Sequence, residues 1–162
     1  MTATTGQFVT GPALDAWQRL LRAHCVIAKQ LDAELQAAHG MTLSDYDALV
    51  NLRDCEDESL KMSELSKRTM LTRSGMTRLV QGLERDGLVE RRACAGDARV
   101  SYAVLTQRGR DHLDTARRTH HAGIRRVFAD HFSDEEATLL ASLLDRIPGV
   151  ASSLENGDGC CG

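Results

Sequence analysis

The stretch from Met62 to Gly109 constrains the fold more than any other part of the chain. It reads as two short helices, a tight turn and two strands joined by a polar loop. Ser63 can cap the first helix, whose inner side carries Leu65. Thr69-Met70-Leu71-Thr72 forms the connection, and the Thr72 hydroxyl can cap a second helix from Arg73 to about Asp86. Gly87 stops that helix, as a residue that accepts left-handed backbone does.

The second helix is two-faced. Met76, Leu79, Val80 and Leu83 recur at three- and four-residue spacing and point to a core. Arg73, Ser74, Thr77, Arg78 and Gln81 lie on the other side, with no acid before Glu84. Guanidiniums read guanine edges bidentately, an amide reads adenine, and hydroxyls bond phosphates, so this face suits a DNA major groove. Gly75 leaves room for a close backbone approach. The strands follow as Leu88–Arg92 and Val100–Leu105, around the loop Ala93-Cys94-Ala95-Gly96-Asp97-Ala98-Arg99. Helix, turn, helix and basic hairpin make a winged helix-turn-helix, with the wing reaching along the backbone or into a minor groove. Taken singly, each helix also reads as an ordinary amphipathic surface helix. The coincidence of caps, glycine stop, strands and a closing Thr-x-x-Gly favours the module.

Charge supports the same reading once divided. The chain carries −3 overall, yet residues 61–110 hold 11 Lys or Arg against 5 Asp or Glu, while the remainder holds 9 against 18. Positive charge is thus concentrated where phosphate steering needs it. At 162 residues the chain is one domain, or one domain with extensions. No run approaches the ~18 apolar residues of a membrane span. The N-terminus lacks the basic and apolar regions of a signal peptide, so the expected location is cytoplasmic. No Gly-rich phosphate loop, nucleophile elbow or metal-ligand cluster is visible, and no enzyme, cofactor or metal is expected.

Before the module, residues 1–11 read as disordered. A helix runs from about Ala13 to His39, ended by Gly40, with Leu14, Trp17, Leu21, Cys25, Ala28, Leu31 and Leu35 as its apolar stripe and Leu20 and Ile27 widening it. Ser44 caps a second helix to about Cys55, with Tyr46, Leu49, Val50 and Leu52 inward. Leu60-Lys61-Met62 forms a third short strand. After the module, a helix spans Gln107 to Phe132. Ser133 and Glu136 then form a capping box for a last helix, Asp134 to about Ile147. His112, His120, His121 and His131 make no i, i+4 pair and read as surface. The terminal helices are too apolar to stand alone, and pairing with a second copy would bury them. The division is thus 12–43, N-terminal dimerisation helix; 44–106, DNA-binding module; 107–148, C-terminal dimerisation helices; 149–162, flexible tail.

Met62-Ser63-Glu64-Leu65, Thr72-Arg73-Ser74-Gly75-Met76-Thr77-Arg78-Leu79-Val80, Leu83-Glu84, Gly87-Leu88-Val89, Arg91-Arg92, Asp97-Ala98-Arg99 and Leu105-Thr106-x-x-Gly109 resemble the MarR family of bacterial transcription regulators, over about Trp17 to Ile147. The resemblance implies a mainly α winged-helix fold, a homodimer built from the terminal helices and palindromic double-stranded DNA as partner. By position it places Thr72, Arg73, Ser74, Thr77, Arg78 and Gln81 at the major groove, Arg99 in the minor groove with Asp97 orienting it, and Arg91 and Arg92 on phosphates. The usual Pro or Glu before the wing tip is replaced by Ala93-Cys94-Ala95. The family commonly represses a neighbouring gene and releases DNA on binding a small, often aromatic or phenolic acid. That implies a ligand site between the dimerisation helices and the module, with Trp17, Arg22, His24, Tyr46 and Arg53 as candidates. Each has a plainer role open to it: core for Trp17 and Tyr46, surface for the other three.

The five cysteines include no Cys-x-x-Cys pair. Some relatives sense oxidants through a first-helix thiol. Cys25 occupies that helix but sits on its apolar stripe, where a buried thiol is inert. Cys94, between the wing arginines, is the other redox candidate. Cys160-Cys161 reads as an inert tail. The expectation is a ligand-released repressor, the alternatives being a thiol-switched regulator through Cys25 or Cys94 and a winged helix used for protein contacts alone.

Overall fold

The computed structural model describes residues 8–94 and 97–150, with side chains for all of these except residues 98 and 99. Among them run α1 (Pro12–His39), α2 (Leu43–Arg53), β1 (Ser59–Lys61), α3 (Met62–Arg68), α4 (Arg73–Arg85), β2 (Val89–Cys94), β3 (Asp97–Leu105), α5 (Gln107–Val127) and α6 (Asp134–Leu144), with a 3-10 turn at Ala129–His131. The fold is mainly helical, with one antiparallel sheet in the order β1-β3-β2. Leu60 and Arg91 flank Ala103 from either side, and Val89 pairs with Leu105. The expected winged helix-turn-helix is present. The wing-tip residues Ala95 and Gly96, residues 1–7 and the tail from 151, with Cys160 and Cys161, lie outside the described residues.

Local chemistry sets most boundaries. Gly40 ends α1 in left-handed backbone, its N–H donating to the Gln36 carbonyl at 3.0 Å. Thr72 caps α4 by accepting the Gly75 N–H at 3.1 Å. Thr106 caps α5 by accepting the Gly109 N–H at 2.9 Å, and its own hydroxyl donates to the Gly87 carbonyl at 2.7 Å. That bond ties the wing base to the start of α5. Ser133 and Glu136 form the expected capping box of α6.

Two caps differ from expectation. Thr42, not Ser44, caps α2: its hydroxyl accepts the Asp45 N–H at 3.1 Å, while the Asp45 carboxylate accepts the Thr42 N–H at 2.9 Å. The helix therefore begins at Leu43, and Ser44 is exposed in its first turn. Ser63 does not cap α3 either. The chain passes straight from β1 into α3, so the cap position falls on Lys61, which makes no side-chain cap bond.

One core gathers Leu35 and Met41 with Tyr46, Leu49 and Leu52 of α2, Leu65 of α3, and Met76, Val80 and Leu83 of α4. Leu88, Val89, Ala103 and Leu105 bring in the sheet, and Leu113 and Ala116 bring in α5. Leu79 and Val50, expected inside, are only half-buried. The C-terminal half of α1 packs antiparallel on α5: His39 Nε2 lies 2.7 Å from Thr119 Oγ1, Glu34 pairs with Arg126, and Leu31 sits over Gly123.

The structure corrects four further expectations. His120 is not on the surface: it is 1% exposed and its ring lies 4.4 Å from that of Tyr46. Helix α5 stops at Val127, where Phe128 leaves helical backbone (φ −136°), rather than at Phe132. Helix α6 ends at Leu144, before Ile147. On α1, only Leu31 and Leu35 of the apolar stripe are buried, so Cys25 and Trp17 are exposed rather than core.

Candidate nucleic-acid interface

The outward face of α4 follows directly from its amphipathic spacing. Met76, Val80 and Leu83 anchor one side in the core. The rotation this fixes turns Arg73, Ser74, Arg78 and Gln81 to solvent, with Thr77 half-buried. With Thr72 these residues line one open concavity. The side chains of Arg73, Arg78 and Gln81 make no hydrogen bond or ion pair among the described residues. Their donors are therefore free to meet base edges without first breaking an internal bond. Thr77 is committed locally, its hydroxyl donating to the Arg73 carbonyl at 2.9 Å.

Beside this face lies a cleft of about 560 Å³ between α3, the start of α4 and the sheet. Lys61, Lys67, Arg73 and Arg91 line it, with the Ser63 and Ser101 hydroxyls, and among the described residues no acid does, although Lys67 Nζ lies 3.8 Å from Glu64 Oε2 just outside it. Such a lining holds phosphate oxygens. Lys61, Ser63 and Lys67 were not among the sequence-derived contacts. Sequence offered a signal for them: the positively charged span already began at Lys61.

The two wing arginines separate. Strand side chains alternate, so Arg91 shares the inward face with buried Val89 and reaches α4, its Nε 3.7 Å from Glu84 Oε2. Arg92 lies on the opposite face, its Nη2 3.0 Å from Glu90 Oε2. Asp97 is exposed at the start of β3, paired with Cys94 across a register shift. Arg99 lies in the backbone of β3, and its side chain is outside those described.

The five ligand candidates fall into two groups. Trp17, Arg22 and His24 are exposed on the first half of α1. Tyr46 is fully buried against His120; burial pushes its hydroxyl above the ordinary tyrosine range, partly opposed by the Arg117 guanidinium. Arg53 is half-buried, its Nε 3.6 Å from Glu58 and its Nη2 4.0 Å from Asp114. Trp17 stands 14 residues before Leu31, where α1 meets α5, about 21 Å along the helix axis. One chain therefore does not assemble all five.

The thiols also separate. Cys25 is exposed on α1 and Cys94 half-buried at the end of β2. Cys55, not singled out from sequence, donates to the Asn51 carbonyl at 3.3 Å, with Arg68 Nη1 3.6 Å from its sulfur. Among the described residues no cluster of His, Cys, Asp or Glu could hold a metal, and no helix is long and apolar enough to cross a membrane.

A family model described as MarR family matches residues 39–100. The crystal structure of AbsC, a MarR family transcriptional regulator from Streptomyces coelicolor, is 31% identical, covers 93% of this chain and 99% of its own, and superposes with a TM-score of 0.79. The chain belongs to the MarR family. This MarR-family chain is also similar to the transcriptional repressor YetL of Bacillus subtilis (strain 168), at 33% identity over 108 residues, 67% of this chain and 64% of that repressor. It thus spans just under two thirds of YetL. The solved structure of Sco3205, a Streptomyces coelicolor MarR family regulator in complex with DNA, is 28% identical with a TM-score of 0.80, covering 87% of this chain and 89% of its own. Membership places the chain among transcription regulators rather than enzymes.

Proposed function

We propose that this MarR-family chain is a homodimeric regulator that binds a palindromic duplex and represses transcription until a small organic effector releases it. The observation that carries the reading is the exposed, uncommitted face of α4, set beside an acid-free cationic cleft. Arg73, Ser74, Thr77, Arg78 and Gln81 enter the major groove, Thr72 fixes the start of the helix, and Lys61, Lys67 and Arg91 hold flanking phosphates. The wing carries Asp97 and Arg99 toward the minor groove. Arg92, paired to Glu90 on the far face, contributes at most to the general field. With DNA as partner, the place of action is the cytoplasm.

Dimerisation is supported by what a single chain leaves uncovered. Trp17 is 56% and Leu139 59% exposed, and Leu20, Leu21, Val26, Phe132, Leu143 and Ile147 are exposed as well, all on α1 or the C-terminal helices and the turns beside them. Patches of this kind mark association surfaces. A two-fold pair built on them presents two copies of α4 roughly 34–36 Å apart, one turn of DNA. An effector site drawing on Trp17, Arg22 and His24 as well as Tyr46 and Arg53 needs residues of both copies. A thiol-switched form of the same regulator rests on Cys94, which ends β2 next to the wing tip. Peroxide release that survives Cys94→Ser would end that version for this residue.

The test is selection of bound duplexes from a random pool, followed by anisotropy titrations across salt. The expected outcome is one palindrome whose affinity falls steeply as salt rises. Arg78→Ala should weaken it by about ten- to a hundredfold while leaving the dimer intact. Absence of any duplex binding at low salt would overturn the reading in favour of a protein-contact winged helix.

A further inference from the structure

The polar residues that α4 turns outward are not equivalent, and their surroundings divide them. Arg73 opens the helix and lines both the concavity on α4 and the cationic cleft that holds Lys61, Lys67 and Arg91. Four like charges gathered in one cleft repel one another, and only a full negative charge offsets that; a base edge carries partial charges alone. The start of α4 adds to the same pull. Its first turn holds no acid, and its leading amides and the positive end of the helix dipole favour an anion. The hydroxyls there are engaged with each other and with the cap: Ser74 Oγ lies 3.2 Å from Thr72 Oγ1, which accepts the Gly75 N–H at 3.1 Å.

Beyond the first turn the setting changes. Arg78 and Gln81 line the concavity and not the cationic cleft. Both are exposed, and neither side chain makes a hydrogen bond or ion pair among the described residues. The Arg78 guanidinium is a rigid fork that matches guanine O6 and N7, and the Gln81 amide matches adenine N6 and N7. Three residues of helix separate them, about 4.5 Å of rise, against about 3.4 Å per base pair. Their targets therefore lie within one or two base pairs of each other. Thr77 completes the set. Its hydroxyl donates to the Arg73 carbonyl at 2.9 Å, so its hydrogen is spent inside the helix and its methyl is left for the groove. A threonine methyl in the major groove packs on the C5-methyl of thymine.

We propose that base readout by this chain rests on Thr77, Arg78 and Gln81, which select thymine, guanine and adenine within one short half-site, while Arg73 clamps a phosphate and carries no sequence information. The inference rests on the DNA-binding reading above and assigns the specificity of that face residue by residue. It distinguishes two arginines that look alike in the sequence by what stands around each in the fold.

The experiment repeats the selection of duplexes with the full-length wild type and with Arg73→Ala, Arg78→Ala and Gln81→Ala, then titrates each protein across salt. Arg78→Ala should lose its preference at one guanine per half-site, with affinity down about ten- to a hundredfold, and Gln81→Ala its preference at one adenine beside it. Arg73→Ala should keep the wild-type consensus, weaken all sequences alike, and lower the salt slope by about 2, one phosphate for each copy in the dimer. Replacing each half-site thymine by deoxyuridine removes only its methyl and needs no protein variant. One such replacement should weaken wild-type binding several-fold. Thr77→Ser, which keeps the hydroxyl bond to Arg73, should bind both duplexes equally. The assignment is overturned if Arg73→Ala relaxes selection at a base pair, if Arg78→Ala or Gln81→Ala returns the wild-type consensus, or if no deoxyuridine replacement affects the wild type. Wild-type protein that selects no duplex at all overturns the DNA-binding reading itself, and the assignment with it; a wild-type consensus with variants that behave otherwise overturns the assignment alone.

Discussion

Replacing Gly109 with alanine should destabilise the protein although it swaps a poor helix former for the best one. A Cβ at Gly109 would lie 2.1 Å from the Leu88 carbonyl oxygen and 2.7 Å from Leu105 Cδ1. Ordinary contact begins near 3.4 Å, so the first turn of α5 must retreat from the wing base by more than an ångström. That movement strains the Thr106 hydroxyl bond to Gly87, 2.7 Å, and the Thr106 N–H bond to Leu88, 3.1 Å. Overpacking costs about 1–3 kcal/mol, and each weakened bond about 1 kcal/mol. Better helix propensity returns at most about 1 kcal/mol. The net expectation is a loss of about 2–4 kcal/mol, against a total stability of about 5–15 kcal/mol. Urea denaturation at fixed protein concentration measures it, as a midpoint shift of roughly 1–2 M at an unchanged slope. Gly82→Ala is the paired control, since its Cβ would make only an ordinary contact, 3.8 Å from Arg85 Nη2; it should gain about 0.5–1 kcal/mol. A Gly109→Ala protein as stable as the wild type would show that α5 does not approach the wing base this closely.

Further outcomes follow from single groups. Burial pushes Asp47 up to about 6, so ionisation is harder in the folded chain; its contribution is full below about pH 4 and lost as pH rises through 6. Asp47→Asn should remove that slope and be the more stable protein at about pH 7.5, read by denaturation across pH. His39 carries the opposite sign: its lowered pKa makes the folded chain resist protonation, so stability falls as pH drops below about 6.5, and His39→Gln should flatten that limb. Thr72→Ala removes the α4 cap and should cost about 1 kcal/mol in thermal or chemical melts. Glu58 bridges Arg53 and Arg110 from left-handed backbone (φ 47°), all three half-buried; Glu58→Gln should cost about 1 kcal/mol, measured by denaturant midpoint.

The module was readable in the sequence because its punctuation is local. Thr72, Gly87, Thr106 and Gly109 each set a boundary through bonds to residues nearby in the chain or by the space they leave. The face of α4 was readable for the same reason, since period alone decides which side the core takes. The cap of α2 was misplaced although its signal was present: Thr42 and Asp45 stand in capping-box spacing, with aspartate in place of the more usual glutamate. His120 follows Leu113 and Ala116 at helical spacing and belongs to their buried stripe; its polarity hid this. Arg91 and Arg92 were grouped as neighbours, whereas strand alternation sends them to opposite faces. Trp17 and Cys25 illustrate a different gap. Their stripe is real, but among the described residues nothing covers its first half, so apolar spacing alone overstated its burial.

Methylation interference on the selected duplex tests the central claim most directly, because it reads major-groove contacts at guanine N7. The account predicts two clusters of interfering guanines, related by a two-fold axis and centred about 10–10.5 base pairs apart. With Arg78→Ala, the guanine that arginine reads should become indifferent to methylation while its neighbours still interfere. A single unsymmetrical cluster, interference confined to the minor groove, or an Arg78→Ala pattern identical to wild type would contradict it.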